Sequence, residues 1–424
     1  MTFISPSSGE PIGLSYLQLK TKEDLVRRRK MMQHWARYSG GIMGRSPDYL
    51  NTVLMSFASS VNFLTNKENC FPHNLQAFYE FARENDLSFT HTFISPQVNR
   101  SQIYIENSDE PIAAKVVATN EEGIVIKGAR LLATQGGLTD EVLVFSVGKF
   151  VLNEDEAFAF SIPSNTKGIK FICRDTFMGS ESSFNHPLSS RFEEMDSIIV
   201  FDNVLVPWNR VFYYNNAEVA EEFPIHSSFH PFAKHQVVTR QIVKTEFVLG
   251  IAELLVETIN IGGYQHIQGK ISEIIIGLET MKALLEKSEN NAEVDEWGYM
   301  RPEIFSLQVA GNIFPKIYPR FTEIIQLIGA SGMIALPTGN AFHSSIRNDL
   351  DHYLKGATKT AEERVKIFRL AWDLTMSAFG TRSTQYERYF FGDPIRLASD
   401  LYKRYPKNEY VQMVSEFLHL KREE

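Results

Sequence analysis

The periodicity of the apolar residues changes twice along the chain, and this change most constrains the fold. Between about residues 87 and 215, the apolar residues come in short β-branched or aromatic runs, separated by turn signals such as NEEG at 120–123. Regular short strands with close turns are typical of an antiparallel β-sandwich or barrel. The seven runs that we predict as strands are SFTHTFIS, IAAKVVAT, GIVIKGARLLAT, EVLVFSVGKF, AFAFSIP, IKFICR and SIIVFDNVLV.

Helical periodicity dominates on both sides of this β-region. Residues 20–86 predict three helices, the first of which begins at a capping box formed by Thr21 and Asp24 and ends at the GG pair that follows it. After about residue 235, four long patterns, among them EERVKIFRLAWDLTMSAFG, predict a four-helix bundle. Several of them are apolar on more than one face, which predicts packing between subunits. In one pattern the apolar stripe consists of Ile267, Ile271, Ile274, Leu278, Met281 and Leu285.

The sequence therefore predicts an α+β chain with three domains. They are a helical domain at 1–86, an antiparallel β-barrel or sandwich at 87–215, and a helical bundle at 216–424. The total of 424 residues exceeds one ordinary hydrophobic core, which agrees with this division.

Composition and charge argue against several classes of protein. The net charge is −8, and the basic run RRRK at 27–30 lies within a helical pattern, so no nucleic-acid surface is expected. The longest apolar run, at 247–256, is too short to span a bilayer and contains Glu253. Cys70 and Cys173 define no disulfide framework, and no signal peptide is recognised, so we expect a cytoplasmic protein.

The segment GRSPDYLN contains the start of a predicted helix. Ser46 is a good N-cap, Pro47 suits the first helical position, and Asp48 suits the positive end of the helix dipole. Capping leaves the two bulky polar residues, Arg45 and Tyr49, unexplained.

The segment THTFISPQVNRSQ places His91 on a strand that ends in polar residues. Its Gln97, Asn99 and Arg100 carry amide and guanidinium groups that can bind a heterocycle edge or a phosphate. A polar strand end without a ligand is the alternative. In the segment GARLLATQGG, Thr134 ends an apolar strand before glycines that let a ligand approach the backbone.

The segment YERYFFGDPIR contains another predicted helix start, with Asp393 as the cap and Pro394 in the first turn. Arg396 lies in that first turn, and a helix N-terminus with an adjacent arginine suits phosphate oxygens. An ordinary helix start remains the alternative.

Several familiar signatures are absent from the sequence, namely GxGxxG after a first strand, a Walker A loop, HExxH and CxxC. A Rossmann dehydrogenase, an NTPase and a zinc hydrolase are therefore not expected. His226, His230 and His235 lie close together in the sequence but lack an acidic partner at metal-site spacing. We interpret them as packing histidines and predict no metal site.

Together these segments resemble one family. MGRSPDYLN, THTFISPQVNR, GARLLAT, HPLSSRFEEMDSIIVFDNVLVPWNRVF, HQVV, IGASGMIALP and YERYFFGDP occur in the order found in the oxygenase component of 4-hydroxyphenylacetate 3-monooxygenase. The resemblance covers residues from about 20 to 415. It implies the fold of the acyl-CoA dehydrogenases, with a helical N-terminal domain, a β-barrel middle domain and a C-terminal four-helix bundle, assembled as a homotetramer, a dimer of dimers.

The activity implied by the resemblance is that of a two-component flavin monooxygenase. A separate reductase would supply reduced FAD as an exchangeable cofactor, and the C4a-hydroperoxide formed with O₂ would hydroxylate a phenol ortho to its hydroxyl group. The resemblance places Arg45, Tyr49 and His91 around that hydroxyl. An arginine and a histidine there would favour the phenolate, because nearby positive charge lowers the pKa of an acid. The implied FAD contacts are Gln97, Val98, Asn99, Arg100, Thr134, Asp393, Pro394, Ile395 and Arg396.

The sequence departs from the family at two places. Much of the N-terminal helical extension of the family is expected to be missing. Val147 and Gly148 stand where relatives have hydroxyl residues near the acid tail of the substrate. The resemblance therefore predicts a phenolic substrate, with 4-hydroxyphenylacetate as the model, and leaves its exact identity open.

Three alternative classes were weighed against the monooxygenase. An acyl-CoA dehydrogenase-like flavoenzyme needs a catalytic carboxylate and a CoA site, and neither is identifiable. A non-catalytic helical assembly protein would retain the fold without binding flavin, but the intact Arg45, Tyr49, His91 and Arg100 argue against it. An iron–sulfur dehydratase acting on 4-hydroxybutyryl-CoA is rejected, because two cysteines cannot supply a conventional cluster.

Overall fold

Two four-stranded sheets occupy the middle of the chain. The computed structural model describes residues 1–96, 110–146 and 153–420. Its strands are β1 (Thr2–Ile4), β2 (Pro11–Gly13), β3 (Phe89–Thr92), β4 (Lys115–Thr119), β5 (Gly123–Thr134), β6 (Glu141–Phe145), β7 (Phe158–Pro163), β8 (Ile169–Cys173), β9 (Asp196–Pro207), β10 (Val211–Tyr214), β11 (Glu293–Val294) and β12 (Met300–Arg301).

Helices precede and follow these sheets, as the periodicity predicts. Among the described residues, none of the helices combines the length and the apolar character needed to cross a bilayer. The helices are α1 (Lys22–Tyr38), α2 (Pro47–Ser59), α3 (Pro72–Glu84), α4 (Ser189–Phe192), α5 (Ala217–His226), α6 (Phe229–Ile259), α7 (Gln265–Asn290), α8 (Ile304–Gly329), α9 (Arg347–Tyr353), α10 (Ala361–Thr375), α11 (Ala378–Tyr389), α12 (Pro394–Arg404) and α13 (Asn408–Phe417).

The two sheets have the strand orders β10-β7-β6-β3 and β4-β5-β9-β8. Each of the seven predicted runs overlaps one of these strands, and the four-residue strand β10 was not predicted. Both sheets contribute to one core, whose members include Ile126, Val144, Phe160, Phe201 and Val206. The alternating apolar residues of the strands fill the space between the two sheets.

One strand pair departs from the predicted antiparallel arrangement. β3 and β6 run parallel, with Phe89 opposite Glu141 and Thr92 opposite Val144. A parallel pair cannot be closed by a tight turn and needs a long connection. Here β4 and β5, which belong to the other sheet, lie between β3 and β6 in the chain, so the connection is long enough.

The helix ends follow local chemistry. The capping box of α1 is confirmed, since the main-chain N–H of Asp24 donates to Thr21 Oγ1 at 3.1 Å. The chain leaves that helix through Gly40 and Gly41, which have φ values of 61° and 70°. Glycine adopts such positive φ values without steric cost.

The long C-terminal helices α6, α7, α8 and α10 pack against one another around a shared apolar core. The predicted stripe on α7 is confirmed, because all six of its apolar residues are buried. The pattern predicted as one helix over 362–380 is instead divided between α10 and α11. Ser377 Oγ accepts from the main-chain N–H of Gly380 at 3.0 Å and so caps α11. A Cβ at Gly380 would lie 2.4 Å from the carbonyl oxygen of Leu374, so this tight break has no room for a side chain.

A single core joins the N-terminal helices to one sheet and to α6. Leu54 of α2, Phe89 of β3, Leu143 of β6, Phe212 of β10 and Val237 of α6 belong to the same buried cluster. The start of α2 and the strand β3 are therefore held side by side against α6, and the candidate site lies there.

Candidate active site

The structure brings together Arg45, Tyr49 and His91. The first turn of α2 carries Tyr49, the turn that precedes it carries Arg45, and β3 carries His91. The central carbon of the Arg45 guanidinium lies 4.3 Å from the centroid of the Tyr49 ring, and the Tyr49 and His91 rings are 5.9 Å apart. All three side chains are buried. The residues predicted to meet at a phenol hydroxyl are thus neighbours in space.

Aromatic rings surround this trio. The Arg45 guanidinium carbon is 4.0 Å from the ring centroid of Phe390 and 5.6 Å from that of Tyr386. On the other side, the His91 ring packs 6.0 Å from the Phe145 ring at an interplanar angle of 20°. The walls suit a flat, apolar ring with one polar end.

Three nitrogen atoms of this trio are buried without a partner. Within the described part of the chain, Nε and Nη1 of Arg45 and Nδ1 of His91 make no hydrogen bond. Buried polar groups are nearly always satisfied, and a buried guanidinium without an acceptor is costly. The cluster of Arg45, Tyr49 and His91 is therefore suited to a ligand that carries an acceptor, best of all an oxygen atom with negative charge.

The protonation states of the trio follow from burial. Burial raises the pKa of Tyr49 above its usual 10.0, although Arg45 acts in the opposite direction, so the tyrosine stays a hydrogen-bond donor. Burial, and then the charge of Arg45, hold the pKa of His91 well below its usual 6.5. Without a ligand, therefore, His91 adds no positive charge to the site, and its predicted role at a bound phenol stays a prediction. His91 is neutral there and can accept a proton.

The turn before α2 is not held by Ser46, contrary to the prediction. Ser46 occupies the N-cap position, but its side chain makes no capping hydrogen bond. Its hydroxyl oxygen instead accepts from Nε2 of Gln236 at 3.3 Å, and the same nitrogen donates to Asp48 Oδ2 at 2.9 Å. The amide of Gln236, and not a main-chain N–H of α2, donates to the Ser46 hydroxyl oxygen, because α6 packs against α2.

Glu194 holds this turn, and it was not predicted. Its carboxylate accepts from the main-chain N–H groups of Gly44, at 2.9 Å, and of Arg45, at 2.7 Å. The side chain is buried, with 1% of its surface exposed. Its segment, RFEEMDSIIV, belongs to the motifs shared with the family, but no local pattern shows that it reaches a turn 150 residues earlier.

Thr134 lies at the end of β5, close to β3. Its main-chain oxygen accepts from the hydroxyl of Thr90 at 2.7 Å, and its own hydroxyl donates to Asp196 Oδ1 at 3.0 Å. Because its proton is committed to Asp196, the Thr134 hydroxyl can offer only lone pairs to a ligand.

Comparison with known proteins identifies the family of this chain. Residues 1–213 match the model of the 4-hydroxyphenylacetate 3-hydroxylase N terminal region, and residues 220–419 match that of the C terminal region. The chain belongs to the 4-hydroxyphenylacetate 3-hydroxylase family. The family predicted from the motifs is confirmed, and with it the class of flavin-dependent aromatic monooxygenases that use FAD.

Individual relatives agree with this placement. The chain is 67% identical to the probable 4-hydroxyphenylacetate 3-monooxygenase of Bacillus subtilis, over 99% of this chain and 87% of the relative. It is 47% identical to the oxygenase component of 4-hydroxyphenylacetate 3-monooxygenase from a Geobacillus strain, over 99% and 85%. A crystal structure of such an oxygenase component, complexed with FAD and 4-hydroxyphenylacetate, superimposes with a TM-score of 0.94 at 42% identity and covers 98% of this chain and 86% of its own.

The other predicted flavin contacts of this hydroxylase lie partly within the described residues. The helix start at Asp393 and Pro394 is confirmed, since the Asp393 carboxylate accepts from the main-chain N–H groups of Ile395 and Arg396. This helix, α12, begins four residues after Phe390, whose ring faces Arg45. Gln97, Val98, Asn99 and Arg100, together with Val147 and Gly148 at the predicted acid-tail position, lie outside the described residues.

The three neighbouring histidines serve different contacts. His235 Nε2 lies 2.9 Å from Glu289 Oε1 in the interior, and His226 Nδ1 lies 2.8 Å from Glu296 Oε1 near the surface. His230 is packed against Phe229. In residues 1–96, 110–146 and 153–420, no group of histidine, cysteine and acidic side chains is arranged to hold a metal ion.

Proposed function

We propose that this hydroxylase uses O₂ and reduced FAD, delivered by a separate reductase, to hydroxylate a phenol at the carbon ortho to its hydroxyl group. One observation carries the proposal: a buried arginine with two unpartnered nitrogen atoms faces a protonated tyrosine and a neutral histidine. A relative of the same family has been solved with FAD and 4-hydroxyphenylacetate, which supports a phenol with a para side chain as the substrate.

The trio would bind the phenol through its oxygen. The guanidinium of Arg45 would stabilise negative charge there and so lower the pKa of the phenol. His91, neutral before binding, would accept the phenol proton at a ring nitrogen, and the Tyr49 hydroxyl would donate a hydrogen bond to the resulting phenolate. A phenolate ring is richer in electrons than a phenol ring, particularly at the ortho carbon atoms, so it reacts faster with an electrophile.

Arg45 can perform this role because, within the described residues, its Nε and Nη1 atoms have no acceptor. The carboxylate of Glu194 bonds to its main-chain N–H. The aromatic rings of Tyr49 and Phe390 cover the guanidinium and exclude water without offering a competing lone pair. A phenolate oxygen would thus meet an unshielded cation in a dry pocket, where the attraction is strongest.

The described residues also fit FAD, which when bound supplies the activated oxygen. Thr134 offers lone pairs at the end of β5, and these suit the N–H groups of a reduced flavin. Asp393 already caps the main-chain N–H groups of Ile395 and Arg396, so at the start of α12 the positive charge of the Arg396 side chain is the group that suits the phosphates. We also assign Gln97, Val98, Asn99 and Arg100 to FAD and Val147 and Gly148 to the para side chain of the substrate, on the strength of the motifs.

We further propose the architecture and assembly that the resemblance implies. The division into domains at 1–86, 87–215 and 216–424, the closure of the two sheets into a barrel, and the four-helix bundle belong to this proposal, as does a cytoplasmic location. Both α12 and α13 are fully described, and neither contains a buried residue. Their exposed apolar side chains include Ile395, Tyr402, Val411 and Phe417. Such an apolar surface supports burial against another subunit of a homotetramer.

The test is turnover with a panel of phenols. Protein supplied with chemically reduced FAD and O₂ should convert 4-hydroxyphenylacetate, or a phenol with a neutral para side chain, into the ortho-diol seen by mass spectrometry. Comparing the turnover of phenols that carry acidic para side chains with that of phenols that carry neutral ones tests the assignment of Val147 and Gly148. A 2,6-dimethylated phenol, whose ortho positions are blocked, serves as the control and should give none. The absence of ortho-diol from every phenol, while O₂ is still consumed, would refute the proposal.

A further inference from the structure

The carboxylate of Glu194 lies beside the turn that carries Arg45 and uses both oxygen atoms on it. Oε1 accepts from the main-chain N–H of Arg45 at 2.7 Å, and Oε2 accepts from that of Gly44 at 2.9 Å. Hydrogen bonds from a neutral N–H to a carboxylate are about twice as strong as those to a neutral acceptor. Two of them on consecutive residues fix the direction in which the Arg45 side chain leaves the backbone.

The same carboxylate is tied to the flavin side of the site through Arg382. Arg382 Nη1 donates to Glu194 Oε2 at 3.0 Å, and its Nε donates to Asp196 Oδ2 at 2.8 Å. Asp196 in turn accepts from the hydroxyl of Thr134 at 3.0 Å. The guanidinium group of Arg382 therefore links the main chain of Arg45, through Glu194, to the side chain of Thr134, through Asp196.

The turn itself has no freedom to compensate for a displacement. A Cβ at Gly44 would lie 2.2 Å from Cε1 of Tyr386, so the backbone there is already in close contact with that ring. The Tyr386 ring also packs 4.2 Å from the guanidinium of Arg382. A shift of Glu194 would thus be passed on to Arg45 and could not be absorbed within the loop.

We propose that Glu194 is a positioning residue for Arg45 and that, with Arg382 and Asp196, it sets the distance between the phenol side and the flavin side of the site. The carboxylate of Glu194 bonds to the backbone and to Arg382. It therefore leaves the guanidinium of Arg45 available to the substrate. The inference rests on the proposed function of Arg45 at the phenol oxygen.

The test compares Glu194→Gln with Glu141→Gln. A glutamine at 194 keeps the volume, but its NH₂ group cannot accept from an N–H donor or from Arg382. The carboxylate of Glu141 is also buried and bonds to an arginine, Arg210, and to Ser161, and it bonds to neither Gly44 nor Arg45, so its variant is the matched control. The readouts are the ionisation of bound 4-nitrophenol, followed by its phenolate absorbance without flavin, and kcat and KM with reduced FAD.

In Glu194→Gln, the pKa of the bound phenol should rise by about one unit, because Arg45 moves away from the oxygen. The rate of product formation should fall by about tenfold or more, as a misplacement near 1 Å can cost 100-fold. Glu141→Gln should keep both values. Glu194→Asp, which retains the charge on a shorter arm, should be intermediate, and it decides the matter if Glu194→Gln does not fold.

Two results would overturn the inference. One is a Glu194→Gln enzyme, or a Glu194→Asp enzyme where only that folds, with the wild-type phenol pKa and rate. The other is an equal change in Glu141→Gln, which would show a general loss of structure. If the wild-type protein itself does not lower the pKa of the bound phenol, the proposed role of Arg45 is refuted. That outcome is distinct from a refutation of Glu194 as the residue that positions Arg45.

Discussion

The guanidinium of Arg45 lies over the ring of Phe390, with 4.0 Å between its central carbon and the ring centroid. This contact stabilises a buried positive charge without supplying an oxygen atom that would occupy its N–H groups. It joins the turn before α2 to the end of α11, two segments that are 345 residues apart in the sequence. The proposed chemistry depends on the charge of Arg45. Its guanidinium packs against the rings of Tyr49 and Phe390, and its main chain is bound by the carboxylate of Glu194.

Replacing Phe390 with leucine should weaken phenol binding and coupling without affecting flavin. The contact of a cation with an aromatic ring is worth about 0.5–2 kcal/mol. We expect KM for the phenol to rise severalfold and the yield of diol per O₂ to fall. Phe391→Leu is the matched control, since the Phe391 ring faces Lys234 at 3.8 Å and does not face Arg45. Equal effects of the two substitutions would argue against a specific role of Phe390.

The buried neutral state of His91 predicts a particular dependence of stability on pH. The pKa of His91 in the folded protein is far below 6.5, and in the unfolded protein it is ordinary. The unfolded state therefore takes up a proton below pH 6.5 that the folded state does not, and stability is full above that pH and lost on acidification. His230, whose pKa burial lowers to about 3, and His235 act in the same direction.

His91→Asn should therefore flatten this acid loss. Below pH 6.5 the slope of the unfolding free energy against pH should decrease by up to about 1.4 kcal/mol per pH unit, the value for one proton. Urea unfolding at pH 5, 6, 7 and 8 measures it. The control for the substitution itself is His34→Asn, at an exposed histidine of α1. An unchanged slope in His91→Asn would show that His91 is not buried in its neutral form.

A buried cluster of charges beside the site predicts a large loss of stability. Glu387 accepts from Arg240 Nη1 at 2.7 Å and from Lys244 Nζ at 2.8 Å, and all three side chains are 1% exposed. The two cations hold the pKa of Glu387 far below its usual range, against the effect of burial. Glu387→Gln leaves two buried cations without a counter-ion, which should cost about 3–5 kcal/mol of unfolding free energy.

The comparison for Glu387 is an exposed ion pair on the same helical region. Arg320 donates to both oxygen atoms of Glu273 at the surface, and Glu273→Gln should change the unfolding free energy little, because water screens the pair. Urea unfolding measures both variants. If Glu387→Gln were as mild as Glu273→Gln, the three charged groups would not be buried together.

The proposed phosphate contact at α12 can be tested by binding. Arg396→Gln should weaken the binding of reduced FAD by about 1.5–3 kcal/mol, the range for hydrogen bonds to charged groups. Arg404→Gln removes the same charge from the last turn of α12 and should have a much smaller effect. Anaerobic titration of each variant with reduced FAD gives both affinities. Wild-type affinity in Arg396→Gln would remove Arg396 from the flavin site.

The sequence allowed the family, the order of helices and strands, and the trio Arg45, Tyr49 and His91 to be predicted. Long sequence motifs identify the family. Strands with close turns, such as β5, can be predicted from the local periodicity of their apolar residues. Contacts over long distances have no such signal. Glu194 and Phe390 reach Arg45 from 149 and 345 residues away, and only the fold shows that they do.

The features that local patterns miss have the same physical origin. The neutral state of His91 without a ligand depends on Phe145 and Tyr49, which bury the ring beside a cation. The predicted cap at Ser46 is wrong, because local propensity does not reveal that Gln236 of α6 donates to its hydroxyl oxygen. The predicted extension of α10 through Ser377 is also wrong, because apolar periodicity continues across a break that side-chain capping creates.

The most direct test of Arg45 as the residue that activates the phenol is the ratio of diol to hydrogen peroxide in Arg45→Met, measured with reduced FAD in excess. Methionine fills much of the same space without a charge. We expect the variant to bind reduced FAD and to consume O₂ as the wild-type protein does, while the ratio of diol to peroxide falls by about 100-fold, the scale of losing a preorganised stabiliser of developing charge. A wild-type ratio in Arg45→Met would show that the guanidinium does not act on the phenol.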